Sequence, residues 1–473
     1  MRKGFLMVLA VALVAVLAAP AVAGTDINGF YRAKGYVTNF DTPSAPAILN
    51  DMQTSGYVEQ RFRMRFSFGE ENVKAIAFFE IDFGSWGDSA GGAAPGAAAR
   101  NVGGALGGDK VNLETKNIYL WFKVPNTSLD LAVGLQSQTD SFYGLLYGGA
   151  DMAGIFATGK YEPVNWKLGW ARLYENDVQE WDDVTLYMGA VNFLPSKASK
   201  LGLSAYYITD DSQKAVSGAA SLPFAAVAGD TNQKAIATVG LDGAYNGSWG
   251  GLSGFLLYQW GKVEATGGNT DPDIDITAFA ADLRGDFNLG PGKLFLEGLY
   301  VSGNDRGSTG TGDYEAVVTL ADLNASPGGN SFFVRMDYQI LMGNADDINQ
   351  NTCLIGCAGA VGNNQSPGNN GRGMWTIGGG YSMKVAERTT FKFGAGYLQA
   401  VKRLATEANQ KKNMGTEFNA NVNYNIMKGL DFGLYGAYAM IGDFYNGTVT
   451  SGSLANNDPD DVWSMFLRLN YAF

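Results

Sequence analysis

The 473-residue chain contains no histidine. Without imidazole there is no Ser-His-Asp triad, no Cys-His dyad, no ordinary zinc or copper centre and no histidine-ligated haem. Charge is also scarce, at 17% of residues against about 25% in ordinary soluble domains. Lys+Arg total 34 against 46 Asp+Glu, and a net charge of −12 argues against non-specific nucleic-acid binding. The two cysteines, Cys353 and Cys357, have no nearby histidine or third thiol to complete a metal site. They read as a local disulfide, which agrees with an oxidising compartment. Beyond residue 23 no apolar run reaches 18 residues, so no helical transmembrane domain is expected. What the chain has in excess is glycine, 64 residues, about twice the usual ~7%. There is no Gly-X-Y repeat, which excludes collagen. Aromatic residues reach 12%, and with so much glycine they suit many strands joined by turns.

Arg2 and Lys3 precede an apolar stretch over residues 4–19, and Ala21-Val22-Ala23 offers the small residues that signal peptidase reads. Residues 1–23 are therefore expected to be a cleaved export signal, with residues 24–473 forming one domain. The competing reading is an uncleaved anchor, since 4–23 is long enough to span a bilayer. The small-residue cluster and the abrupt change to polar alternation argue against it.

The mature chain alternates with period two. Val58, Phe62, Met64, Phe66 and Phe68 share one face, with Gln60 out of character, opposed by Glu59, Arg61, Arg63, Arg65 and Ser67. After Gly69-Glu70-Glu71-Asn72, Val73, Ala75, Ala77, Phe79, Ile81 and Phe83 oppose Lys74, Glu80 and Asp82. Near the C-terminus Phe418, Ala420, Val422, Tyr424 and Ile426 oppose Glu417 and Asn419, Asn421, Asn423 and Asn425. A soluble sandwich would alternate too, so connection lengths decide. Short turns fall at 69–72, 125–128, 163–165, 195–200, 247–251, 288–292, 386–388 and 427–429. Longer polar connections fall at 39–55, 84–112, 138–154, 177–183, 210–233, 264–275, 304–372, 402–414 and 442–461. Tight turns on one side and long loops on the other are the asymmetry of an outer-membrane barrel, periplasmic against extracellular. The expectation is an all-β, transmembrane antiparallel β-barrel of 18 strands, with 84–112 and 304–372 as its longest loops. Sixteen strands also satisfies parity. Segment 331–341 looks strand-like, but a nineteenth strand would break parity, so it is assigned to the largest loop.

The last segment puts Trp463, Met465, Leu467, Leu469, Tyr471 and Phe473 on one face and ends on an aromatic residue. Tyr471 and Phe473 are the form of closing strand that the barrel-assembly machinery recognises; an ordinary amphipathic strand is the plainer reading.

Over residues 57–137 the sequence resembles a known family. Gln60-Arg61-Phe62-Arg63-Met64-Arg65 leads into Phe78-Phe79-Glu80-Ile81 and Trp86-Gly87. Gly103-Gly104-Ala105-Leu106-Gly107, Val124-Pro125 and Gly134-Leu135-Gln136 follow. These resemble the outer-membrane homotrimeric porins of sulfate- and metal-reducing Gram-negative bacteria. The resemblance covers under a quarter of the chain, and its 84–112 loop is longer and richer in Ala and Gly than the family pattern. It implies a trimeric porin in the cell outer membrane, with no catalytic residue and no cofactor to transfer.

If the apolar faces meet lipid, the others line a lumen. Arg32, Lys34, Arg61, Arg63, Arg65 and Lys74 then point inward, with Glu80 and Asp82 beside them and Asp282, Arg284, Asp286 and Glu297 on later strands. Opposed charges across a narrow passage would orient water and favour polar solutes. The plainer reading is structural, with arginines bonded to carboxylates and loop carbonyls. Acidic groups at Asp182-Asp183, Asp210-Asp211, Asp271/Asp273/Asp275, Asp346-Asp347 and Asp458/Asp460/Asp461 have oxygen donors for calcium or magnesium, but no EF-hand spacing, and read better as solvated loop charge. Gly103–Lys110 lacks the Gly-Lys-Ser/Thr ending of a phosphate loop. Residues 91–108 read as a loop that either folds into the lumen as a constriction or stays outside.

The function expected is passive diffusion of small hydrophilic solutes and ions. The alternatives are an enzyme, for which no His-free constellation stands out, and a non-conducting adhesive barrel or a sheath around an electron-transfer partner. No Cys-x-x-Cys-His occurs, so the chain itself cannot attach c-type haem.

Overall fold

Period-two alternation with polar and apolar faces forces each strand to separate its two sets of side chains, and a sheet that buries neither edge must close. The computed structural model describes residues 24–40, 53–83, 86, 113–175, 182–211, 231–266, 273–304, 313–323, 335, 337–342, 353–356, 366–403, 411–446 and 459–473. Residues 1–23, expected to be the export signal, most of loop 84–112 with residues 91–108, Cys357, Asp271, Asp346-Asp347 and Asp458 lie outside them.

The strands are β1 (Gly24–Thr38), β2 (Ser55–Glu70), β3 (Val73–Phe83), β4 (Glu114–Lys123), β5 (Leu129–Gln138) and β6 (Ala150–Tyr161). They continue as β7 (Val164–Tyr174), β8 (Val184–Ser196), β9 (Ser199–Asp210), β10 (Thr231–Gly247), β11 (Gly250–Thr266) and β12 (Ile274–Leu289). The last six are β13 (Gly292–Val301), β14 (Met374–Ala386), β15 (Thr389–Ala400), β16 (Asn413–Met427), β17 (Leu430–Ile441) and β18 (Val462–Ala472). Each pairs antiparallel with its sequence neighbours, and β1 pairs with both β2 and β18, closing an 18-stranded barrel. The even count returns both chain ends to one rim, where Gly29 and Phe473 exchange backbone hydrogen bonds.

All eight short turns fall where the sequence places them. At the first, Gly69 has φ +138°, and a Cβ there would sit 2.2 Å from the Val73 carbonyl oxygen, so only glycine fits. The nine longer connections all emerge at the opposite rim. β6 starts at Ala150, earlier than expected, because Ala150, Ala153 and Gly154 carry little β propensity although their backbone pairs with β5. Segment 331–341 forms no strand among its described residues, Arg335 and 337–341.

Outward side chains are the exposed apolar ones: Ile118, Leu120, Val133, Leu168, Leu203, Leu283, Leu296, Phe418, Leu467 and Leu469 among them. In water such a surface would be costly; in a bilayer it meets hydrocarbon. No helix among the described residues is long and apolar enough to cross a membrane.

Candidate functional site

The barrel interior divides into two unlike halves. The first is a charged wall on β1, β2, β3 and β18. Register fixes its levels: Lys34 lies between Glu59 and Arg468, Arg32 between Arg61 and Asn470, and Phe30 opposite Arg63. Asn28 is opposite Arg65, while Asp82 and Glu80 of β3 pair with Arg61 and Arg63. Register thus stacks Arg32, Lys34, Arg61, Arg63 and Arg65 at successive levels of neighbouring strands, with Lys74 near the short-turn rim. Above them, Tyr57, Tyr36, Phe466 and Tyr435 form one level across four strands, with ring centroids 4.7, 5.1 and 4.5 Å apart.

The ladder is not bare. Glu80, buried, takes the guanidiniums of Arg61 at 3.4 Å and Arg63 in a closer contact. Lys34 is 1% exposed and sits 3.7 Å from Glu59, its ammonium 5.5 Å from the centre of the Phe466 ring. Arg32 and Arg63 both lie over Phe30. Pairing and open charge therefore coexist: Lys34 and Glu80 are covered, whereas Arg61 and Arg63 keep 18% and 26% of their side chains exposed and Arg65 and Lys74 are open.

The second half is filled by inward-folded loops. Residues 139–149 turn into the barrel, and Phe142, Leu145, Leu146 and Tyr147 are all at most 5% exposed. Phe142 packs on Tyr206 of β9 and Phe255 of β11, with centroids 5.7 and 5.3 Å away. The turn is organised by one side chain. Asp140 accepts backbone hydrogen bonds from Phe142 and Gly144 on one oxygen and from Leu146 and Tyr147 on the other, at 2.6–3.0 Å. Burial pushes its carboxyl up to about 6, against the downward pull of those four donors.

Residues 313–323 lie against this turn, Leu320 N–H donating to the Leu146 carbonyl. Gln259 of β11 grips the segment with its amide, accepting from Val318 N–H and donating to Val318 C=O. Asp322 accepts from Thr319 and Ser366 hydroxyls, and burial pushes its carboxyl up to about 6 as well. Residues 337–341 are held to the wall by Glu417 of β16, whose carboxylate accepts from Gln339, Ile340 and Leu341 N–H groups. Together these loops build an apolar cluster that takes in inward residues from β6 to β18 and none from β1 to β5.

Asp282, Arg284, Asp286 and Glu297 are brought together on β12 and β13. Arg284 pairs with Asp286 and Glu297 at 3.0 Å each. Asp282 and Glu297 are fully covered by Arg335, at 2.8 and 3.3 Å. Arg335, Asp140, Asp322, Tyr338 and Glu417 escaped sequence reasoning as site residues. Alternation puts Glu417 on the polar face of its strand, but its donors come from residues 76–78 positions away and leave no periodic trace. Cys353 is buried and disulfide-bonded, seated beside Ile340 and Met342 through Leu354 and Ile355.

Among the described residues, one acidic group has ligand atoms close enough to share a cation: Glu175, Asp182 and Asp183 at the long-loop rim. Arg172 already supplies positive charge there, pairing with Asp183 and with Glu175 at 3.2 Å.

A closed, lipid-faced barrel of 18 strands with a charged inner wall defines the class of outer-membrane channels. Residues 211–466, more than half of the chain, match the model of the porin subfamily. No curated protein sequence matches the chain. Among solved structures it is similar to OccAB2 of Acinetobacter baumannii (TM-score 0.52, 11% identity, covering 95% of this chain and 98% of that one). It is also similar to OccAB3 of Acinetobacter baumannii (0.51, 12%, 95% and 99%) and to OccK8 (OprE) of Pseudomonas aeruginosa (0.50, 11%, 95% and 98%). Identity this low shows a shared fold. The chain belongs to the porin subfamily, and it is an outer-membrane porin through which small solutes diffuse.

Proposed function

We propose that solutes cross this porin along the inner faces of β1–β5, between the arginine wall and the inward loops. One observation carries the reading: the apolar loop cluster occupies the β6–β18 side and draws no residue from β1–β5. Arg32, Arg61, Arg63, Arg65 and Lys74 line this path, with Lys34 and Glu80 setting their charge from behind. Inward basic residues of β1–β3 and β18, with Arg468, outnumber the acidic ones, so the path favours anions over cations. The side chains orient and screen a passing solute and catalyse nothing. Residues 1–23 direct export and are cleaved off in the process, Tyr471 and Phe473 guide assembly, Cys353 pairs with Cys357, and three copies associate as the family resemblance implies.

Single cysteines test the path in a Cys353→Ser/Cys357→Ser background. A negatively charged, membrane-impermeant thiol reagent applied in a planar bilayer should reduce current through Arg65→Cys. It should leave Leu469→Cys, on the lipid face, unaffected. Current through Arg65→Cys that ignores the reagent contradicts the path.

A further inference from the structure

We infer that Arg335 is the residue that positions the constriction of this channel and neutralises the wall behind it. The inference rests on the path proposed above and adds what fixes its far side. Arg335 comes from the 302–373 connection and meets four separate elements. Its guanidinium donates to the Ser253 hydroxyl of β11 at 2.6 Å and pairs with Asp282 of β12 at 2.8 Å. It reaches Glu297 of β13 at 3.3 Å. Its flat face lies 3.9 Å from the centre of the Tyr143 ring, at the tip of the other inward loop. Its backbone carbonyl accepts from Arg284 at 2.9 Å.

The geometry needs arginine. A planar fork with donors on both edges can bond three wall residues while its face stays free for the ring; an ammonium cannot do both. Tyr143 is presented for this contact by backbone at φ +59°, within the turn that Asp140 holds. Arg335 thus joins the tip of 139–149 to the wall and to the longest connection at once, beside the packing of Tyr143 on Phe255 of β11.

Two consequences separate. The tie sets how far loop 139–149 stands from the arginine wall, and so the width of the passage. The charge cancels Asp282, whose one ion pair among the described residues is with Arg335, whereas Glu297 also has Arg284. Width reads out as conductance and charge as reversal potential.

The experiment compares purified, heat-modifiable barrels in a planar bilayer under a potassium chloride gradient. Arg335→Gln should raise single-channel conductance and shift reversal potential toward cation preference. Asp282→Asn/Arg335→Gln should restore the reversal potential while conductance stays high. Tyr143→Ala should raise conductance without moving reversal potential, and Arg335→Lys should keep selectivity and restore only part of the width. A folded Arg335→Gln barrel with wild-type conductance and reversal potential overturns the inference, and a purely structural role would give that result with lowered stability alone. A silent wild type contradicts the proposed path. In that case a conducting Arg335→Gln still assigns Arg335 as the residue holding the passage shut, and a silent one overturns the inference too.

Discussion

The ring of Tyr338 rests where the side chain of residue 396 would be. A Cβ on Gly396 would lie 2.0 Å from the Tyr338 Cε1, and one on its cross-strand partner Gly378 would lie 2.4 Å from the phenol oxygen. The wall glycines of β14 and β15 are seats cut for an inward loop, and the Tyr338 hydroxyl then bonds Thr376 at 2.9 Å. Gly396→Ala should leave the barrel closed but unseat Tyr338, at a cost of about 3 kcal/mol, the scale of losing a buried aromatic. Chemical denaturation of detergent-folded protein checks this, together with Tyr338→Ala. Since both changes remove the same contact, the double variant should fall well short of additivity.

Asp140 predicts a pH dependence. Its carboxyl titrates near 6 in the folded protein and near 3.8 unfolded. Between those values the folded state holds a proton that the unfolded chain has released. Stability from this group is therefore complete below about 4, falls as pH rises through 6 and is level above it, by up to about 3 kcal/mol in all. Asp322 adds a change of the same sign over the same window. The difference in denaturation midpoint between wild type and Asp140→Asn, followed from pH 4 to 7, should decline with rising pH; a flat difference would contradict the assignment.

Removing the carboxylate altogether acts differently. Asp140→Ala strands four backbone donors in a buried turn, on the order of 3 kcal/mol or more. Loop 139–149 should then lose protection in hydrogen exchange at Phe142, Gly144, Leu146 and Tyr147 while the strand amides keep theirs.

Glu80 pairs with two arginines of the proposed path, Arg61 and Arg63. Glu80→Gln frees Arg61 and Arg63 from their shared partner and should shift reversal potential toward stronger anion preference. The barrel should remain folded, since the change is nearly isosteric.

Strand and turn positions were legible because a bilayer outside and side chains inside demand strict alternation, as on β18, where Leu467 and Leu469 face out and Phe466 and Arg468 face in. The same alternation puts Arg61, Arg63 and Arg65 at successive levels of one strand. The filling of the other half was not legible. Segment 331–341 looks like a strand in sequence, and its described residues 338–341 are gripped from two sides: Tyr338 sinks onto Gly396 while the next three N–H groups turn to Glu417. Parity kept it out of the barrel, but nothing local told where it folds. Likewise Asp140 sits in a sequence of ordinary turn residues, and its role depends on N–H groups that converge only after the loop has turned inward.

The most direct test of the charged path is the ion selectivity of Arg61→Gln/Arg63→Gln/Arg65→Gln against wild type, read as reversal potential across a salt gradient. The wild type should prefer anions, and the variant should move toward cations with open steps retained. Identical reversal potentials in two conducting, folded barrels would contradict a passage along the arginine wall.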